Sequence, residues 1–297
     1  MTRGGPDHQG SLPGPTTEEA ARLAREHGLQ KVGVRPPLGR YVRDIWRNRQ
    51  FLVSLSQGQF VAAHQNNYLG LVWAVLNPIL LGFAYYLIFG VLLGTRGTLE
   101  NYVGFLTIGL FAFVFVSAGF NYGSRSLIDN TSLVRSLRFP RALLPISVSL
   151  THLFSNIPAF LILLVIALIT GETPSWEWLL FVPALLVLAI ITTGMALLSA
   201  PLVHAVRDAV NLIPLLTRML RYISGIFFPI MDYATGIWQL VLAYQPIAVA
   251  LTLVREPLLG ELPVRWETWA VAGGWAVLLL GAGLVVFWRG EAGYGRA

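Results

Sequence analysis

Six apolar stretches run through this chain, at roughly 72–94, 102–122, 142–170, 178–202, 212–230 and 269–288. Each is near or above the roughly 20 residues a helix needs to cross a bilayer. The same chain carries no GxxxxGK[ST] phosphate-binding loop, and Lys31 is its one lysine. It therefore reads as an all-α integral membrane protein that holds no nucleotide of its own. Composition agrees, with 55% hydrophobic and 12% charged residues, against about 25% charged in a soluble domain. No cysteine is present, which excludes disulfides, thiolate metal sites and cysteine nucleophiles.

The net charge of +6 is a matter of orientation and not of nucleic acid. If residues 1–71 are cytoplasmic and the stretches alternate, most of the Lys/Arg fall inside. These are the nine before residue 72, Arg125, Arg135, Arg138 and Arg141 in the loop 123–141, then Arg207, Arg289 and Arg296. Only Arg96, Arg255 and Arg265 fall outside, while Arg218 and Arg221 lie within the fifth stretch. The acids divide almost evenly. The positive-inside rule then predicts a multi-pass protein of the plasma membrane with both termini cytoplasmic. No apolar core precedes residue 35, so no cleavable leader is expected.

Residues 1–37 divide into a Gly/Pro-rich tail, expected to be disordered over 1–15, and a short helix over 17–27. In 38–56, Leu38, Tyr41, Val42, Ile45, Trp46, Leu52 and Val53 recur at helical spacing opposite Arg40, Arg43, Asp44, Arg47 and Asn48. That pattern predicts an amphipathic helix in the membrane interface, within a connector segment 38–71. The six-helix domain spans 72–290, and 291–297 form a second cytoplasmic tail. The segment 234–254 has the length of a span, but Gln245-Pro246 divides it into two pieces too short to cross. A pair of re-entrant helices before the last span is expected, with Tyr244, Gln245 and Pro246 at an outer gate.

Chemistry-bearing clusters are sparse. No HExxH, paired histidines or carboxylate pair occurs in a span, and no acid lies in a span interior, which disfavours a carboxylate relay. No catalytic residue and no metal ligand is assigned. In the third stretch Ser147, Thr151 and Ser155, with Ser149, His152 and Asn156, form one polar side of a helix. It is either the lining of a hydrated path or a helix–helix hydrogen-bonding face. Aromatics crowd the first two stretches. Tyr85, Tyr86, Phe89, Phe111 and Phe115 are the candidates for walls on which sugar rings slide, the alternative being lipid-facing belts. Arg218 and Arg221 either snorkel or meet a phosphate at the cytoplasmic mouth. In the inner loop, a short helix near 132–137 offers Ser132, Leu133, Val134 and Arg135 as a docking element for a cytoplasmic partner.

Four segments carry a resemblance. They are Tyr68-Leu-Gly-Leu-Val-Trp-Ala-Val-Leu-Asn-Pro78, Leu137-Arg-Phe-Pro-Arg-Ala-Leu-Leu-Pro145, Arg207-Asp208 and Tyr222-Ile-Ser-Gly-Ile-Phe-Phe-Pro229. Over about 38–290 their order resembles permeases of ABC type-2 exporters of cell-surface polysaccharide, the class handling O-antigen, teichoic acid and galactan. Arg-Phe-Pro-Arg and the Arg-rich interface helix are similar to actinobacterial galactan exporters. The resemblance implies a homodimer of six-span subunits exporting lipid-linked polysaccharide, with two cytoplasmic ABC ATPase subunits that bind the ATP and Mg. It also implies a coupling helix between spans two and three. The competing readings are a membrane-embedded glycosyl- or acyltransferase, a secondary transporter, and an ABC type-2 exporter of a small lipid or drug.

Overall fold

The computed structural model describes residues 36–64, 72–94, 97–291, 293 and 294, together with Glu19, Arg22 and Glu26. Residues 1–34 and 35–297 form separate units. In the first, the three described residues are helical and Arg22 Nε lies 3.1 Å from Glu26. The remainder of the predicted disordered tail and of the 17–27 helix lies outside the described residues.

The second unit is helical, with no strand among the described residues. Helices α1 (Leu38–Arg47) and α2 (Arg49–His64) precede the spans. The first span is α3 (Val72–Tyr85), which widens into a π-helical turn, Tyr86–Leu92. Then follow α4 (Tyr102–Asp129), α5 (Thr131–Ser136), α6 (Leu143–Ile169), and a 3₁₀ turn, Trp176–Leu180, leading into α7 (Phe181–Ala205). The chain continues through α8 (Ala209–Ile223), α9 (Ile230–Tyr233), α10 (Ile237–Ala243), α11 (Pro246–Arg255) and α12 (Trp266–Gly290). Five helices are long and apolar enough to cross a membrane, and α10 with α11 forms a pair bent by 68°.

Contacts between helices fix their directions. Gly82 faces Leu110 and Gly90 faces Tyr102, so α3 runs opposite to α4. Phe115 meets Phe160 and Tyr122 meets His152, so α6 also opposes α4. Gly119 faces Thr192, Gly123 faces Ala196, and Gly194 faces Leu279 and Leu280, which makes α4, α7 and α12 parallel. Small residues at these crossings let the backbones approach closely, as packing between membrane helices requires. α4 is the axis of the bundle: Phe105, Phe111, Phe113 and Phe115 are all buried.

The fifth predicted stretch needs a correction. α8 has 15 residues, roughly 22 Å at 1.5 Å each, short of the roughly 30 Å hydrocarbon core. The crossing is completed by the non-helical residues 224–229. Thr217 Oγ1 donates to Asn121 Oδ1 (3.4 Å), yet ten residues later Phe227 O accepts from Tyr102 Oη (2.7 Å) at the start of α4. This turning leg is buried from Ser224 to Phe227. Irregular backbone at this depth is tolerated only where protein surrounds it. Gly225, at φ +68°, supplies the turn.

α10 and α11 do not form a seventh span. The chain enters them at the end where Asp232 Oδ2 accepts from Thr98 N at 3.3 Å. At the tip, Gln245 Nε2 donates to Ile223 O (2.7 Å) and Trp275 Nε1 to Tyr244 O (2.8 Å). Trp275 lies about 14 Å along α12 from its first residue. The chain then returns to its entry level, where Thr268 Oγ1 donates to Glu256 Oε1 (2.7 Å). Pro246 at N1 opens the ascending helix, where its missing N–H costs nothing. This is a re-entrant hairpin.

Candidate translocation path and coupling end

The bundle has two chemically different ends. One gathers Arg125, Arg135, Arg138, Arg141, Arg207 and Arg289 and is the basic end. The far end carries the loops opposite to these and the mouth of the hairpin.

At the basic end, the 38–56 amphipathic pattern is divided at Asn48, whose side chain donates to Asp44 O (2.7 Å) and separates α1 from α2. Tyr41 faces the bundle and is buried, while Val42 and Trp46 project outward, Trp46 with 72% of its surface exposed. Arg49 lies 5.7 Å over the Trp46 ring.

The predicted docking helix is present as α5, but its four candidates divide. Ser132 and Arg135 are exposed, Leu133 is half-buried, and Val134 is buried among Tyr41, Leu127, Leu144, Leu197 and Phe287. Val134 is thus the anchor of α5, and Ser132 and Arg135 form its outward surface.

The polar side of α6 is largely consumed by helix–helix bonding. Thr151 Oγ1 donates to Gln59 Oε1 (3.0 Å), and Ser56 Oγ donates to Ser147 O (3.2 Å), so α2 covers this face. Asn156 is buried and donates to His152 O (2.8 Å). His152 stacks on exposed Tyr122 with ring centroids 5.1 Å apart.

Among the wall candidates, Phe111 and Phe115 are at most 1% exposed and belong to the chain's own core, so they line no surface of it. Tyr85 and Phe89 converge instead on a residue not singled out from sequence, Phe227. The Phe89 and Phe227 rings stack at 4.5 Å and 11°, and Tyr85 tilts against Phe227 at 4.6 Å. Tyr86 lies apart, 6.4 Å from the Tyr102 ring. Arg221 joins the cluster: Nη1 donates to Tyr85 Oη (3.3 Å) and its guanidinium sits 5.5 Å over Phe113. Arg218 is exposed on the same helix. α3 and α8 therefore bring together an aromatic and cationic seam, flanked by exposed Phe83, Leu215 and Met219. Its signal in sequence was Phe227-Phe228-Pro229, where apolar pattern and helix breaker coincide.

At the far end, Arg255 departs from expectation. It was assigned to an outside loop, yet it is buried at 3% exposure. Nε donates to Phe105 O (3.0 Å), Nη1 to Gly225 O (2.9 Å) and Nη2 to Ile226 O (3.1 Å). It satisfies the carbonyls left open where the chain leaves α8. A cavity of about 330 Å³ opens beside it, lined by Ser224, Asp232, Tyr244, Val249 and Arg265 among others. Tyr244 of the predicted gate is exposed into it, while Gln245 ties the hairpin tip to α8.

Among the described residues no cluster fit to hold a metal is present. The arrangement is one of surfaces and joints: an aromatic and cationic seam, a hairpin at one end and a basic surface at the other. The chain matches the family model described as ABC-2 type transporter over residues 50–259. It is similar to the O-antigen export system permease protein RfbA of Myxococcus xanthus, at 27% identity across 72% of this chain and 82% of that one. It is similar also to the protein of the same name from Klebsiella pneumoniae, at 24% identity across 80% of this chain and 90% of the relative. With its family matched from α2 to the end of the re-entrant hairpin, this membrane-spanning chain belongs to the ABC-2 type transporters.

Proposed function

We propose that the chain is the transmembrane subunit of an ATP-driven exporter that moves lipid-linked cell-surface polysaccharide across the bacterial plasma membrane. The observation that carries this reading is the match to permeases named for O-antigen export over most of both chains. The basic end faces the cytoplasm, in keeping with the positive-inside rule. A separate ATPase supplies the nucleotide site that this sequence lacks, binds ATP and Mg, and docks on the exposed Ser132 and Arg135 of α5. Two copies of the chain pair with two ATPases.

The path runs between the two copies, along the α3–α8 seam, with Tyr85, Phe89, Arg221 and Arg218 at its wall. A long polar chain needs a hydrated conduit that does not bind it tightly. Aromatic faces hold the apolar sides of sugar rings while leaving them free to slide. The hairpin tip at Tyr244, Gln245 and Pro246 closes the conduit when no glycan fills it. The test is co-expression with a candidate ABC ATPase subunit and measurement of hydrolysis in nanodiscs. Stimulation by a lipid-linked glycan, and not by the lipid carrier alone, supports the reading. A chain that purifies without any ATPase, or hydrolysis indifferent to glycolipid, overturns it.

A further inference from the structure

Three segments far apart in the chain meet in one buried polar cluster at the basic end. Tyr41 of α1 donates its hydroxyl to Glu291 Oε2 at 2.7 Å and accepts from Ala142 N at 3.2 Å. Arg141, in the loop after α5, gives its backbone N–H to Glu291 Oε1 (3.2 Å) and its Nη1 to Glu291 O (2.7 Å). Glu291 is the first residue after α12 and is 8% exposed; Tyr41 is 1% exposed. Tyr294 folds back so that its hydroxyl reaches Phe287 O (3.1 Å). That fold requires Gly290, because a Cβ there would stand 2.1 Å from Tyr294 Oη. Trp288 Nε1 donates to Pro36 O (2.7 Å), a second tie between α12 and the entry to α1.

The cluster lies on the same apolar floor as Val134, so α5 shares its footing. A buried carboxylate is costly unless its oxygens are bonded, and apolar side chains would hold three helix ends together at least as firmly. What the bonded carboxylate adds is a single geometry. Moving α5 with Arg141–Ala142 away from α12 strips Glu291 of both Arg141 bonds and Tyr41 of its donor from Ala142, while both stay buried.

We propose that Glu291 is a positioning residue that makes α5, α1 and the end of α12 move as one body, so that displacement of the docking helix reaches the interface helix and the last span. The proposal rests on α5 being the ATPase dock. Without this joint, movement of α5 is absorbed in residues 137–142. Glu291 touches neither nucleotide nor glycan; it acts through Arg141 and Tyr41.

The experiment uses the full permease–ATPase complex in nanodiscs, carrying Glu291→Ala, Glu291→Gln or Tyr41→Phe. It measures copurified ATPase, basal hydrolysis, and glycan translocated per ATP. The expected result is equal copurification and basal hydrolysis, with glycan per ATP reduced roughly tenfold in Glu291→Ala, the scale of an ordinary coupling between sites. Glu291→Gln, which keeps one acceptor oxygen, recovers part of it. Tyr41→Phe keeps the ring packing and guards against a folding failure of Glu291→Ala; it reduces the ratio while the complex stays assembled. A wild-type ratio in Tyr41→Phe, or in an assembled Glu291→Ala complex, overturns the proposal. Loss of ATPase binding in these variants also overturns it, since the docking face itself is untouched. Failure of the wild-type chain to bind an ATPase overturns the docking assignment instead.

Discussion

Arg255 holds its guanidinium 3.6 Å over the ring of Phe105 and donates to that residue's own carbonyl at 3.0 Å. The pair joins the end of the re-entrant hairpin to the first turn of the central helix. Gly109 makes room for it, because a Cβ there would stand 1.9 Å from Arg255 Nη2. Charged hydrogen bonds to the Gly225 and Ile226 carbonyls replace the water that the non-helical leg 224–229 cannot reach.

Arg255→Met therefore leaves the Gly225 and Ile226 carbonyls of the non-helical leg without their charged donor. Loss of charged bonds of this kind costs on the order of 3 kcal/mol. The expected outcome is a lower melting temperature in detergent and faster proteolysis near the hairpin. Arg255→Lys, with one donor group instead of a fork, falls between the two. A melting temperature equal to wild type in Arg255→Met contradicts this account of the leg.

The close crossing of α7 and α12 gives a second expectation. A Cβ on Gly194 would lie 2.6 Å from the Leu279 carbonyl carbon, which is backbone and cannot step aside. Gly194→Ala should destabilise by about 1–3 kcal/mol through overpacking. Gly274→Ala, whose Cβ would meet nothing within 4 Å, is the matched control and should be neutral or slightly stabilising. Thermal unfolding of the two variants side by side tests this, and equal losses in both would count against it.

The division of α5 into an anchor and a surface separates two mutants that look alike in sequence. Val134→Asp places a charge in the cluster with Tyr41 and Phe287 and should reduce the yield of folded protein. Arg135→Glu lies on the exposed side and should leave the fold intact while reducing ATPase copurification several-fold, in line with a rim charge at an interface. If Arg135→Glu binds the ATPase normally, the docking face lies elsewhere.

The helix directions place Ser175 and Gly293 at opposite ends of the bundle. Because the chain has no cysteine, single cysteines report side without background. Gly293→Cys should react only from the cytoplasm and Ser175→Cys only from outside. The reverse pattern would invert the orientation drawn from Lys/Arg placement.

Burial moves the Glu291 carboxyl above its usual range, against the opposing effect of its bonds from Tyr41 and Arg141. The same burial, with the nearby carboxyl, raises the hydroxyls of Tyr41 and Tyr294. An acid raised on folding binds its proton more tightly in the native state. Its contribution to stability is full below the ordinary carboxylate range and is lost as pH rises through the raised value. Glu291→Gln removes that dependence. Melting temperature against pH, wild type beside variant, should therefore converge at acid pH and separate towards neutrality, with the variant flatter. Parallel curves would contradict it.

Much of this architecture was legible from apolar length alone. Five spans lie close to where their stretches predicted, since about 20 apolar residues in water have few alternatives to a membrane helix. The re-entrant hairpin was legible because proline halves its apolar run. Three things were not. Hydropathy does not distinguish a side chain facing lipid from one facing another helix, so Phe111 and Phe115 could not be told from Phe83. Arg255 follows an apolar run and reads as a loop charge, because its partners are carbonyls, which no residue type encodes. Tyr41 and Glu291 are 250 positions apart, and no local spacing joins them.

The most direct test of export itself uses inverted membrane vesicles holding this chain, its ATPase and a fluorescent lipid-linked glycan. On adding ATP, the glycan should become protected from an impermeant glycosidase outside the vesicle, and protection should need both the chain and hydrolysable nucleotide. Glycan that stays fully digestible while ATP is consumed would contradict the account.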